Sequence, residues 1–419
     1  MADIRPFRAI RYTSGALSDV LAPPYDVLDQ ADRDALVARD ANNFVVIDLP
    51  HIPPKNAGPA EVYEKAAKTL QDWLDSGVMK QDERPAIYVY HQQYEHAGRA
   101  YTRKMFFARL KLEEFGKGSV FPHEQTFGGP KEDRLALMKT TRAQLSPIFG
   151  LYPDAENAVA QRLERGLAKP TAEGVLDGVD SRLWVVTDQA TIDATSAAMA
   201  DKPIYIADGH HRYGTALLYR EWKRQKGDVG NADYVLTVFC AMEDPGALIL
   251  PTHRVLAETH VPLATLAADA NLRLEPLSGA NADNIDGVLA KLGPQAVAVF
   301  DPEKGWHSLL PAKADLLDSL EPGHSEAWRR LALAVLHAYV LDRVITAKAC
   351  GGTAPKIEYI KSTAAAVDYA KSHKTTAFVM QASTMSELRD VCGANDLMPQ
   401  KSTYFYPKLA SGLVINPLA

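Results

Sequence analysis

Three cysteines are all that 419 residues contain, and Cys240, Cys350 and Cys392 stand far apart with no CxxC pair. That spacing excludes a disulfide scaffold and a four-thiolate zinc site, and it fits a reducing compartment. Long apolar runs are also missing, since no stretch approaches the roughly 20 residues that a membrane-crossing helix needs. The opening Met1-Ala2-Asp3-Ile4-Arg5-Pro6 has no basic region followed by an apolar one, so no export signal is expected and the cytoplasm is the expected location. Basic runs are absent as well. Formal net charge is −6, whereas gripping a nucleic acid takes many phosphate contacts, so that class of partner is not expected. A membrane partner is not expected either. Internal repeats and low-complexity tracts are lacking.

What is present is the composition of an ordinary globular protein, 47% hydrophobic and 23% charged, long enough for two or more structural units. Leu21-Ala22-Pro23-Pro24-Tyr25-Asp26-Val27 reads as a rigid turn, because two successive prolines fix φ. A helix is expected over 32–41 and a strand over 44–49. Residues 60–76 carry Tyr63, Ala67, Leu70 and Leu74 at helical spacing, with Gly77 just beyond as a stop. Residues 86–94 and 101–112 alternate around a glycine-containing connection, which predicts an antiparallel hairpin. A helix over 131–144 and strands at 146–151, 182–187, 203–207 and 233–242 follow. Residues 261–320 predict two helices in a peripheral or inserted unit. Residues 326–344 predict one amphipathic helix burying Trp328, Leu331, Val335, Leu336 and Tyr339.

The most informative stretch is Ile204-Tyr205-Ile206-Ala207-Asp208-Gly209-His210-His211-Arg212-Tyr213-Gly214. A short apolar strand stops at Asp-Gly and restarts as a helix, with Leu217, Leu218 and Trp222 at helical spacing. Asp208 is placed to cap that helix and Gly209 to supply the turn. The start of a helix presents unpaired N–H groups and the positive end of the dipole, which favours an anion. With the planar fork of Arg212 beside His210 and His211, the corner reads as a phosphate site.

Two other segments carry chemistry. His123-Glu124-Gln125-Thr126 lies in a glycine- and proline-rich loop, where an imidazole beside a carboxylate offers a base with its orienting partner, or metal ligands. Lys131, Asp133 and Arg134 begin the next helix, either as an anion site or as a solvated face. Near the C-terminus, Lys401-Ser402-Thr403 lacks the glycines of a nucleotide-binding loop, yet Lys401 can serve a phosphate as a point charge with hydroxyls at Ser402 and Thr403. His210-His211 lacks the spacing that puts two imidazoles on one metal. A magnesium ion on Asp208 or Glu124 plus substrate phosphates is compatible with the residues.

The segments LAPPYDV (21–27), FPHEQT (121–126), KEDRLAL (131–137), SPIFGLY (146–152), ADGHHRYGTAL (207–217) and MPQKSTYFYPKLASGLV (398–414) resemble, in order, the bacterial and archaeal family known as domain of unknown function 1015. More distantly, the 208–212 corner is similar to the phosphate-contacting junction of the superfamily of the chromosome-partition protein ParB, sulfiredoxin and free serine kinases. That likeness implies a mixed α/β (α+β) fold, a mixed sheet flanked by helices around a ParB/sulfiredoxin-like strand-turn-helix core. No cysteine stands in the corner for sulfiredoxin chemistry, and no helix-turn-helix is evident for DNA binding.

The expected organisation is an N-terminal α/β region over 1–155, a ParB/sulfiredoxin-like region over 156–260, a peripheral unit over 261–325 and a completing region over 326–419. The expected activity is nucleotide-dependent phosphotransfer to a small, serine-like hydroxyl compound, with ATP or ADP and Mg2+. Glu124, His123, Asp208 and His210 would be catalytic, and Gly209, His211, Arg212, Lys401, Ser402 and Thr403 would bind the nucleotide. A non-catalytic binder of phosphorylated small molecules and a phosphoester hydrolase are the alternatives.

Overall fold

The computed structural model describes residues 2–54, 56–124 and 129–418. They form two compact units: the first holds residues up to Leu248 together with the segment from Pro407 onward, and the second is Ile249–Tyr406.

The first unit is built on a nine-stranded mixed sheet. Its strands are β1 (Ile4–Arg5), β2 (Ile87–His96), β3 (Arg99–Lys111), β4 (Val120–Phe121), β5 (Ile148–Tyr152), β6 (Ala172–Leu176), β7 (Val179–Val186), β8 (Ile204–Asp208) and β9 (Tyr234–Ala241). They run β4-β8-β5-β9-β3-β2-β7-β6, with β1 paired to β3. Pairing is parallel between β8 and β4 and between β9 and β5, and antiparallel elsewhere. The expected fold class is therefore present, a mixed sheet with helices on its faces. The predicted hairpin is β2–β3, closed at Ala97 (φ 50°) and Gly98 (φ 73°). Both turn residues are left-handed, the geometry that matches strand twist. Alternate side chains of the central strands, among them Ile87, Val89, Phe106, Ala108, Ile148, Ile204, Ile206 and Phe239, point into one buried apolar cluster.

Helices α1 (Gln30–Arg39), α2 (Val45–Asp48), α3 (Ala60–Asp75), α4 (Gly129–Thr141), α5 (Ala158–Glu164), α6 (Gln189–Met199) and α7 (His210–Gln225) complete this unit. Residues 44–49, expected as a strand, form the single turn α2 instead. The Asn43 side chain decides this: its amide donates to the Asp19 and Leu21 carbonyls, and its oxygen accepts the Val45 N–H at 3.0 Å. A local side-chain cap overrides β propensity there. In α3 the buried stripe is Tyr63, Ala66, Leu70 and Trp73, one step round from the stripe read off the sequence.

In the second unit, six antiparallel strands run Leu272–Pro276, Gly305–Pro311, Val297–Asp301, Ala377–Val379, His253–Leu256 and Ile357–Ile360 across one sheet. Period-two alternation divides the core between its faces: Leu256, Val297, Val299 and Phe378 join one cluster, Val255, Ala298, Phe300, Ala377 and Val379 the other. Residues 261–325 hold the two expected helices, Leu263–Ala267 and Ile285–Leu292, but also three of these strands, so they form the body of this unit. The predicted helix over 326–344 is broken. Glu326–Arg329 ends at extended Leu331, and Ala332–Ala334, Val335–Ile345 (a π-helix) and Thr346–Lys348 follow without a gap. All five residues expected on its buried face are buried. Among the described residues no helix is long and apolar enough to cross a membrane, and the three cysteines are free thiols.

Candidate functional site

The corner after β8 is set by Gly209. Its φ of +89° is left-handed, and a Cβ there would lie 3.0 Å from Arg212 Nε and 3.1 Å from the Ile148 Cα. Backbone conformation and close approach both call for glycine. Helix α7 then starts at His210 with Gly209 as its N-cap and no side-chain cap. Asp208, expected to cap it, does something else: Oδ2 accepts Lys408 Nζ at 2.7 Å and Oδ1 faces Arg212 Nη2 at 3.3 Å. Burial pushes this carboxyl up, but the Lys408 ammonium and Arg212 guanidinium outweigh it and hold the group far below the usual carboxylate range. Lys408 enters from the far end of the chain, fixed by Gln92 donating to its carbonyl at 3.1 Å.

Arg212 is only 11% exposed at its side chain. Its Nη1 donates to the Pro147 carbonyl, so the guanidinium expected to face an anion is turned to the protein and orients Asp208. The two imidazoles are likewise inward. His123, 3% exposed, hydrogen-bonds through Nδ1 to the Ile206 carbonyl at 2.5 Å. His210, 6% exposed, accepts the His123 backbone N–H on Nε2 at 3.2 Å. The rings meet edge to face with centroids 4.5 Å apart. Burial, reinforced for His210 by neighbouring His123, lowers both below the ordinary histidine range, so both stay neutral near pH 7. The pair pins the loop that follows β4 to the start of α7, and it carries half-buried Glu124 with it. Gln125 and Thr126 lie outside the described residues. His211, on the same first turn, is half-buried.

Behind the first turn of α7 lies a cavity of about 40 Å³, lined by Tyr25, Asp48, Arg134, Ser146 and Arg212 on its polar side and by Leu137, Met138 and Val235 on its apolar side. Asp133 and Arg134 are neither an open anion site nor a solvated face; they are buried and paired. Arg134 Nε donates to Asp133 at 2.7 Å, Nη1 donates to the Asp48 carbonyl at 2.6 Å, and the guanidinium lies 4.0 Å above the Tyr25 ring. Ser146 donates to Asp48 at 2.7 Å, and Tyr63 donates to Asp133 at 2.7 Å. Burial raises the Asp48 carboxyl, with Arg134 and Ser146 pulling the other way. Burial also pushes the Tyr25 hydroxyl up to about 12. Lys131 lays its stem across Gly214 of α7, where an added Cβ would meet its Cε at 2.9 Å.

Segments far apart in sequence thus meet around one helix start: 21–27, 121–124, 131–137, 146–152, 207–217 and Lys408. Lys401, Ser402 and Thr403 belong to the second unit. There the Ser402 hydroxyl donates to the Pro399 carbonyl, and Lys401, at φ 57°, lends its carbonyl to Arg254. Lys408, Asp48 and Ser146 are site residues that the sequence reading passed over. Lys408 lies in the quoted 398–414 run, seven residues beyond the lysine chosen. Among the described residues no group of three or more His, Cys, Asp or Glu converges to hold a metal. Asp208, already facing two cations, does not fit a magnesium ligand.

Solved structures provide distant likenesses. A conserved hypothetical protein from Pyrococcus furiosus is 14% identical, covering 71% of this chain and 92% of its own, at TM-score 0.33. A free serine kinase in complex with AMP is 12% identical, covering 72% and 98%, at TM-score 0.32. SbnI with a C-terminal truncation, from Staphylococcus aureus, is 13% identical, covering 72% and 84%, at TM-score 0.33. Likenesses this low carry no inference about activity. No curated protein matches the chain. The family model described as protein of unknown function (DUF1015) matches residues 4–333, and the chain belongs to that family.

Proposed function

We propose that the chain is a nucleotide-dependent phosphotransferase acting on a small hydroxyl-bearing metabolite of serine-like size. One observation carries this reading: the His123–His210 contact holds Glu124 beside a helix start without a side-chain cap, flanked by Lys408 and Arg212 on Asp208. Phosphates at this corner would take backbone N–H groups of the first turn of α7, with the Lys408 ammonium as the nearby charge. Asp208 is too acidic for a general base and acts by fixing the two cations. Glu124 is the residue assigned to accept the proton of the acceptor hydroxyl, as its oxygen bonds to the transferred phosphorus and the bond to the departing nucleotide phosphate breaks. His123, His210 and Arg212 are positioning residues in this scheme. Any magnesium ion would ride on the nucleotide phosphates and its own waters, and no step is assigned to it.

A specific observation favours a second reading: the imidazoles and guanidinium are spent on internal partners, as suits a nucleotide-binding regulator without turnover. Titration calorimetry with ATP, ADP, CTP and GTP plus Mg2+ tests both. Phosphotransfer predicts nucleotide binding that weakens at least tenfold in Lys408→Ala. It also predicts that Glu124→Gln abolishes turnover with affinity unchanged. Binding without turnover in the parent chain leaves the regulator. No binding to any nucleotide removes both.

A further inference from the structure

The second unit contains a buried cation with no anion to match it. Arg254 is 1% exposed, and among the described residues no carboxylate lies within ion-pair distance of it. Its partners are all neutral: Nε donates to His337 Nε2 at 3.1 Å, Nη1 to the Thr252 carbonyl, and Nη2 to the Gln400 and Lys401 carbonyls at 2.8 and 3.0 Å. Burial lowers this guanidinium to about 10 and holds His337 near 4, so His337 is the neutral acceptor of the pair. Burying a charge without a counter-charge is costly; the carbonyls answer its hydrogen bonds, and the Tyr359 ring, 5.4 Å from the guanidinium, offers a cation–π contact but no negative charge.

An independent feature opens onto the same place. Arg254 lines a cavity of about 30 Å³ whose wall includes Leu331, Ala332 and Leu333. These residues begin the unbroken helical run 332–348, whose N-cap, Leu331, supplies no side-chain hydrogen bond. Ala332 is 9% and Leu333 6% exposed, so this uncapped start is buried. A helix start leaves its first N–H groups without intrahelical partners, and a buried start ordinarily finds a cap. Thr252 adds a hydroxyl to the wall, whereas the Ser383 and Ser402 hydroxyls, also on the wall, donate to the Ser402 and Pro399 carbonyls. Glu387 is the one carboxylate on the wall, and it is committed to the next helix, accepting the Thr384 N–H at 2.7 Å and the Thr384 hydroxyl at 3.0 Å.

We propose that this cavity is a binding site for a small oxyanion of the phosphate class, held between Arg254 and the first turn at Ala332. The donors come from two separate segments, 252–254 and 331–333, and a guanidinium beside the positive end of a helix favours a doubly charged phosphate over a singly charged carboxylate. The site is independent of the corner at Gly209 and does not rest on the activity proposed for it.

The test uses the full chain carrying Lys408→Ala, which removes the nearest cation of the other corner. It is titrated by calorimetry with inorganic phosphate and with acetate at fixed ionic strength. The expected result is saturable one-to-one phosphate binding with acetate at least tenfold weaker. Arg254→Gln should weaken phosphate binding at least tenfold. Because Arg254 also ties several carbonyls, Ala332→Asp serves as the second variant: a carboxylate in the first turn is compatible with the helix and occupies the anion's place, and it too should abolish binding. Absence of phosphate binding, equal binding of acetate, or binding unchanged in Ala332→Asp overturns the proposal.

Discussion

Gly209 and Asp208 show how much of the corner is decided by single residues. At φ +89°, any L side chain at position 209 adopts a left-handed backbone that costs about 1–2 kcal/mol, and its Cβ would press on Arg212 Nε and the Ile148 backbone. Gly209→Ala should therefore lower the unfolding free energy read from urea melts by at least that much, with a lower midpoint, and loosen Arg212 from Asp208. An unchanged midpoint would show the corner to be tolerant. Asp208 makes a prediction about pH. Its folded-state acidity is strengthened by Lys408 and Arg212, so its contribution is complete above the ordinary aspartate range near 4 and is lost as pH falls through and below it. In denaturant melts between pH 2 and 6, Asp208→Asn should flatten the acid limb of stability, whatever it does to the level at pH 7. The sequence marked both residues but assigned Asp208 to a cap. A carboxylate before a helix usually caps it, and only the arrival of Lys408 some two hundred residues later changes its role.

Among elements, legibility followed the strength of the local pattern. The hairpin, helix α3 and strand β8 were plain because alternation or helical spacing agreed with their turn residues. Residues 44–49 misled because valine and isoleucine favour strands while the deciding group, Asn43, acts through three short hydrogen bonds. Asn43→Ala would strand the buried Leu21 carbonyl and Val45 N–H, at about 1–3 kcal/mol. Chemical denaturation should register that loss, and a change below a few tenths would mean the turn forms without its cap. Helix α7 misled in another way: Leu218 is 46% exposed, while Tyr213, Ala216 and Tyr219 face the core. Tyr213 anchors that face by donating to the Glu113 carbonyl at 2.7 Å, a bond that periodicity cannot reveal.

For the whole molecule, the chain leaves the first unit at Leu248 and re-enters it at Pro407. The returning segment buries Leu413, Val414, Ile415 and Leu418, pairs Ile415 with Ile10 and Asn416 with Gln144, and delivers Lys408 to Asp208. Each such apolar side chain is worth about 1.5–3 kcal/mol, so together they rival the ~5–15 kcal/mol by which domains are stable. Deleting residues 407–419 should leave the first unit without a cooperative thermal transition, while the continuous second unit keeps its own. Calorimetric scans of the truncated chain check both. This division into two units was not legible in the sequence, because no flexible linker marks either crossing.

The late position of Lys408 has a consequence for synthesis. On the ribosome, Asp208 and Arg212 emerge well before the residue that completes their trio, with the entire second unit translated in between. A nascent chain halted anywhere before that lysine holds an unfinished corner, so the Asp208–Arg212–Lys408 arrangement is completed in one late step rather than built up as the polypeptide grows.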